Sequence, residues 1–200
     1  MNNSELKQEF SRICDEYIKR EGIFELTEWL WNTDFFTAPA STRYHDCFEG
    51  GLAFHSLSVF RHLNELSTLF GLGLDDGIEN PDESIAIVAL FHDLCKVGCY
   101  KTEMRWRKDK NNQWEQYPTY KFEEDFAYGG HGAKSVFLVQ SFMKLTPEEA
   151  SAINCHMGQW DASQYSNPSL VFERNKLAWL LHVADEAATF INSKEETNNE

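Results

Sequence analysis

Apolar positions along this chain recur mostly at three- and four-residue steps, the period of a helix that buries one face. Phe10, Ile13, Cys14, Tyr17 and Ile18 form the first such stripe, which Gly22 is expected to close, and Ile23 to Trp31 predicts a second helix. Thr33 to Glu49, carrying Pro39 among polar residues, reads as a long loop. Gly50-Gly51 then opens a helix with Leu52, His55, Val59, Leu63, Leu66 and Phe70 on one stripe, ended by Gly71 and Gly73. Pro81 starts a further helix through Ile85, Val88, Ala89 and His92. From Met104 to Phe122 the helical period is lost. Trp106, Trp114, Tyr117, Tyr120 and Phe122 flank Lys110-Asn111-Asn112, which predicts a β-hairpin around an Asn-rich turn. Helical periodicity resumes after Gly132. Thr146-Pro147-Glu148-Glu149 is a capping box that starts a helix running to about Met157, and the last helix begins near Asn175. The expected fold is an all-α bundle with one inserted β-hairpin.

Two hundred residues without an internal repeat or a Ser/Gly-rich linker suit one domain, residues 1–192, with N-terminal helices at 1–32, the hairpin insertion at 104–122 and a polar tail at 193–200. Apolar residues at 42% and charged residues at 25% are globular proportions. The longest apolar run, Ile85 to Phe91, is far below the roughly 18 residues of a membrane helix. Met1 to Arg20 lacks the basic start and apolar block of a signal peptide, so a cytoplasmic protein without membrane partners is expected. Five cysteines without a CxxC pair suit reduced thiols.

The formal charge of −14 disfavours duplex nucleic acid as a partner, because affinity there comes from neutralising phosphates. Lys96, Lys101, Arg105, Arg107, Lys108 and Lys110 nevertheless crowd one short stretch against only Glu103 and Asp109, which would focus a small anion. Aromatic residues near the first helices offer a homodimer contact.

The candidate chemistry lies on the inward stripes. His55, His92 and Asp185 each occupy the apolar face of a separate predicted helix, and Asp93 follows His92 directly. A carboxylate is almost never buried unless paired or bound to metal. Imidazoles and carboxylates converging from several helices are a recurrent way to hold a divalent ion. His131 and His156 add imidazoles at a helix start and a helix end. Taken singly, each has a plain structural reading, with Asp93 pairing Lys96 and Asp185 pairing His182.

Gly50-Gly51-Leu52-Ala53-Phe54-His55, then Phe91-His92-Asp93-Leu94-Cys95-Lys96, then His131, His156 and Asp185 resemble the ordered signature of HD-domain metal-dependent phosphohydrolases. The resemblance runs from about Pro39 to Ala188, and Pro39-Ala40 through His45 to Gly50-Gly51 is also similar to the entry of the HD domain in Gram-positive 3′–5′ exoribonucleases. The family usually has Gly where this chain has Cys95. The resemblance implies an HD-domain-like bundle with metal ligands His55, His92, Asp93 and Asp185, joined by His131 and His156 if a second ion is present. Such ligands favour Mn, Fe, Co, Ni or Zn over Ca. It further implies hydrolysis of a phosphate ester by attack of metal-bound hydroxide. Asp93 and Lys96 would be the catalytic pair, with Lys96 beside the phosphate, and Arg43 and His45 would grip a second phosphate or protonate the leaving oxygen. A nucleotide or short oligonucleotide is the expected substrate. A single-strand 3′–5′ exonuclease, a diiron oxygenase and a catalytically silent nucleotide or metal sensor are the alternatives.

Overall fold

The computed structural model describes residues 1–124, 126, 128–160 and 168–192; the expected tail Ser193 to Glu200 lies outside the described residues. Among them the chain forms eight α-helices and one hairpin: α1 (Asn3–Tyr17), α2 (Ile23–Trp31), α3 (Gly51–Phe70), α4 (Pro81–Phe91), β1 (Tyr100–Lys108), β2 (Trp114–Phe122), α5 (His131–Gln140), α6 (Pro147–Cys155), α7 (Pro168–Arg174) and α8 (Lys176–Ala187). The mostly helical architecture with one antiparallel hairpin agrees with the sequence pattern. None of these helices is long and apolar enough to cross a membrane.

Helix α4 is the axis of the bundle. Every residue from Glu83 to Phe91 is buried, the signature of a helix enclosed on all sides. Helices α3, α6 and α8 pack around it, α5 lies on α6, and α1 closes the other side against α3 and α4. Phe10 of α1 anchors that closure, its ring edge-on to Phe35, Phe36 and Phe91 at 5.2, 5.4 and 6.1 Å between centroids.

Several boundaries differ from the pattern-based expectation, each for a local reason. Gly22 does not close α1; that helix ends at Tyr17, and Gly22 (φ +92°) is instead the N-cap of α2. The chain leaves the helix because the Lys19 amide donates to Glu83 Oε1 at 2.7 Å and Arg20 bridges Glu83 and Glu149. The hairpin starts at Tyr100 rather than Met104, since Tyr100 pairs with Phe122 and its hydroxyl donates to the Ala40 carbonyl at 2.9 Å. At the tip, Asp109 Oδ1 accepts from the amides of Asn111 and Gln113, and Asn112 takes the left-handed conformation at φ +61°. Helix α6 ends at Cys155, two residues before Met157. Helix α7, seven residues long, is too short for periodicity to reveal.

The buried charge network around Arg20 ties the α1–α2 connection to the N-termini of α4 and α6. Its guanidinium donates to Glu83 Oε2 at 3.1 Å and to both oxygens of the fully buried Glu149, which also accepts from Ser84 Oγ at 2.7 Å. Breaking a buried ion pair from one side is costly because the other charge stays behind. Arg20→Ala is therefore expected to destabilise the protein by about 3 kcal/mol, read as a lowered urea midpoint, with Glu149→Gln costing less because Ser84 and Thr146 still bond it.

Candidate metal centre

Two helix ends supply the centre of the site. His92 follows α4 and His156 follows α6, and each ring donates its Nδ1 hydrogen to the carbonyl three residues earlier, Ala89 at 2.9 Å and Ile153 at 2.7 Å. That bond fixes the tautomer and turns Nε2 inward. Helix C-termini also carry the negative end of the helix dipole, so two of them converge on one point favourable to a cation.

Nε2 of His92 lies 3.5 Å from Asp93 Oδ2 and 3.9 Å from Asp185 Oδ1, and Nε2 of His156 lies 3.6 Å from Asp93 Oδ1. Both nitrogens are buried and neither has a hydrogen-bond partner. His55, from the second turn of α3, places Nε2 at 2.9 Å from Asp185 Oδ1 and 3.8 Å from Asp93 Oδ2. Ligand atoms of His55, His92 and Asp93, and of His92, His156 and Asp185, lie within 4.8 Å of one another in each trio. Lone pairs aimed at carboxylate oxygens repel unless a cation or a proton stands between them. Five buried side chains of the right donor type therefore fit a metal ion.

The same carboxylates act on the charge of the imidazoles. Burial opposes a charge on His55, but the neighbouring Asp185 and Asp46 carboxylates outweigh it and push the imidazole up to about 9. Burial likewise opposes a charge on His156, and Asp93 outweighs it. Burial would raise Asp93, yet Lys96 and His92 hold it well below the usual carboxylate range; Asp185 is held low by His55 despite its burial. Without an ion, protons on these imidazoles do the balancing that an ion would otherwise do.

Asp46 belongs to the site although the pattern of residues did not single it out. Its Oδ2 faces His55 Nδ1 at 3.5 Å, an ionic contact beyond ordinary hydrogen-bond length, and it is a carboxylate positioned behind a ligand imidazole. Its backbone sits at φ +48°, a left-handed conformation that Asp tolerates better than most residues. Gly51 makes that placement possible, because a Cβ there would stand 2.0 Å from the Asp46 carbonyl oxygen. The dipeptide His45-Asp46, five residues before that glycine, was the available signal.

The other expected site residues occupy distinct places. A cavity of about 530 Å³ opens above Asp93 and Asp185, with His45, Lys96 and His131 on its walls. Lys96 Nζ donates to Asp93 Oδ2 at 2.7 Å; burial disfavours its charge, but Asp93 more than compensates. His131 stands outside the two trios, its Nδ1 3.7 Å from Cys95 Sγ. The buried Cys95 thiol is pushed up to about 12 by burial and by Asp93, so it remains protonated. His45 packs its ring 4.9 Å from His55, and burial followed by the His55 and Lys96 charges brings it down to about 4, leaving a neutral imidazole. Arg43 is not among the residues lining this cavity; its guanidinium lies over Tyr44, in a separate cleft beside the hairpin. His182 does not pair with Asp185 but directs Nδ1 to the His156 carbonyl at 2.7 Å. The upper wall, which periodicity did not foresee, is Met157, Trp160, Thr189 and Phe190, the last two from a π-helical turn that continues α8.

No protein-family model, curated protein or solved structure matches the chain.

His92 belongs to both trios, so His92→Ala is expected to abolish bound Mn²⁺ or Zn²⁺, measured by elemental analysis after equilibration, and with it the metal-dependent rise in melting temperature. In the wild type, an ion at a hundred times its Kd should stabilise by about 2.7 kcal/mol. His131→Ala reports nuclearity. A loss of one ion from two per chain assigns His131 to a second ion, and an unchanged count leaves a single ion held by the trios.

Proposed function

We propose that this chain is an HD-type metal-dependent phosphohydrolase acting on a phosphate ester of a nucleotide. The single observation that carries the reading is the buried His/Asp cluster opening into a cavity that also presents a lysine. The ordered residues His55, His92-Asp93 and Asp185, in the spacing that resembles the HD signature, support the family assignment. Lys96 at the cavity wall supports an anionic substrate, and a volume of about 530 Å³ suits a ligand of nucleotide size.

His55, His92, His156, Asp93 and Asp185 would hold a divalent ion, which would supply Lewis-acid polarisation of a phosphoryl oxygen and acidify water at the site. The chain's own groups do the rest. Asp93 faces His92, His156 and Lys96 together, so it couples the ligand set to the cation that meets the substrate. Lys96 is held charged and oriented by Asp93, and its remaining N–H bonds are available to the phosphoryl oxygens on which negative charge builds during in-line displacement. Asp46 behind His55, and the carbonyls behind His92 and His156, keep the imidazoles from rotating away. Met157 and Phe190 give the cavity an apolar wall beside the polar groups.

The test is turnover on mono-, di-, tri- and cyclic nucleotides with Mn²⁺ supplied. Phosphate or nucleoside release by the wild type, lost in Asp93→Asn, is the expected result. Lys96→Ala should retain metal while its rate falls by roughly a hundredfold or more, the effect of removing one group that stabilises charge in the transition state. Metal binding without turnover on any nucleotide would overturn the hydrolytic reading and leave a binding site only.

A further inference from the structure

The hairpin is where the chain's charge runs against its average. Residues 100–122 hold six of the 18 basic residues and three of the 32 acidic ones, on a chain of formal charge −14. It is also where aromatic rings stand in solvent, with Trp106 61% and Trp114 65% exposed. Its base is fixed beside the metal-site cavity. Tyr100 is bonded to Ala40, and the Phe122 ring lies 5.9 Å from that of His131.

Between this hairpin and the loop before α3 lies a second cleft of about 350 Å³. Its cations are Arg43, Arg105 and Lys121, its rings include Tyr44 and Tyr117, and Thr42 and Thr119 add hydroxyls. Tyr44, 70% exposed, borders both this cleft and the metal-site cavity, so the two spaces are adjoining. The pairing register sets Arg105 opposite Tyr117, and Arg107 caps the same ring at 4.8 Å. Arg43 donates to the Tyr44 hydroxyl at 3.0 Å with its guanidinium over that ring. Arg105 pairs with Glu103 and Lys121 with Glu123 on the exposed surface. Such pairs are weak and solvent-screened, so an incoming phosphate can exchange with the carboxylate.

We propose that this cleft is a second subsite, taking one further phosphate-and-base unit of a substrate whose scissile phosphate lies in the metal-site cavity. The proposal rests on the phosphohydrolase reading and specifies its substrate class as nucleotides joined at least in pairs. Arg43, Arg105 and Lys121 meet the second phosphate, and Tyr117 or Tyr44 stacks the second base. Cations set beside aromatic faces are the chemistry that holds an unpaired nucleotide, whereas duplex nucleic acid keeps its bases from such rings.

The experiment measures binding of fluorescein-labelled oligothymidylates of one, two, four and twelve nucleotides by anisotropy, in EDTA so that no turnover occurs. Affinity is expected to rise about tenfold from one unit to two, the effect of one stacked base. The salt dependence should steepen by about 0.7 in log–log slope for the added phosphate. Arg105→Ala and Tyr117→Ala, with folding checked by circular dichroism, should each erase most of that step, and Arg105→Glu all of it. A further gain at four nucleotides assigns the occupant to a strand end and a plateau assigns it to a free dinucleotide, each upholding the subsite. Equal affinity for one and two units, or a step that survives in all three variants, would overturn it. Because binding is read without catalysis, a chain that shows the step but hydrolyses nothing would sink the phosphohydrolase reading alone.

Discussion

Two imidazoles, His92 and His156, are aimed by backbone carbonyls so that their remaining nitrogens, buried and without a hydrogen-bond partner, face the carboxylates of Asp93 and Asp185. This arrangement is unfavourable by itself. Desolvated carboxylates repel each other, and a nitrogen lone pair gains nothing from facing an oxygen lone pair. A positive charge at their common centre reverses every one of those signs. Much of the bundle is arranged so that this centre can exist: the buried α4 ends there, α6 ends there, and α3 and α8 pass it with His55 and Asp185 on their inner faces.

The placement of two candidate ligands within helices and two just past helix ends has different consequences. His55 and Asp185 are held by packing along α3 and α8, where a shift would require moving whole helices. His92 and His156 sit just past helix ends, where the side chain still reaches back to a carbonyl but the backbone is free to turn. That turn brings Asp93, the next residue after His92, into the same space, and then carries Lys96 onto the cavity wall. One short segment thus delivers a ligand imidazole, a central carboxylate and the cation facing the cavity.

The same segment continues directly into the hairpin, so the second cleft is fixed relative to the metal centre by covalent proximity as well as by the contacts of Tyr100 with Ala40 and of Phe122 with His131. The hairpin concentrates cations on a chain whose formal charge is −14. The Arg20 network lies at the opposite ends of α4 and α6, where it fixes the N-termini of the two helices whose C-termini build the centre.

Helix periodicity, the capping box at Thr146 and the Asn-rich turn were legible in the sequence because each is local: they depend on residues a turn or a hairpin apart. The ligand candidates were legible for a related reason, since a histidine or aspartate on an apolar stripe must find a partner wherever the chain folds. The wall formed by Trp160, Thr189 and Phe190 was not, because nothing within a few residues marks its function, and Asp46 had only the neighbouring His45 and the glycine five residues on to point to it. Arg43, expected to grip a second phosphate, lies over Tyr44 in the adjoining cleft, a placement that only the packing of the hairpin against the loop decided. The sequence by itself determined the helical elements, the inserted hairpin and the donor types available at the core. Only the tertiary structure decided that five of those donors meet while His131 stands apart, and that a second cleft adjoins the first. Those outcomes depend on how whole helices pack and on backbone contacts, such as Gly51 against Asp46, between segments whose local patterns do not refer to each other.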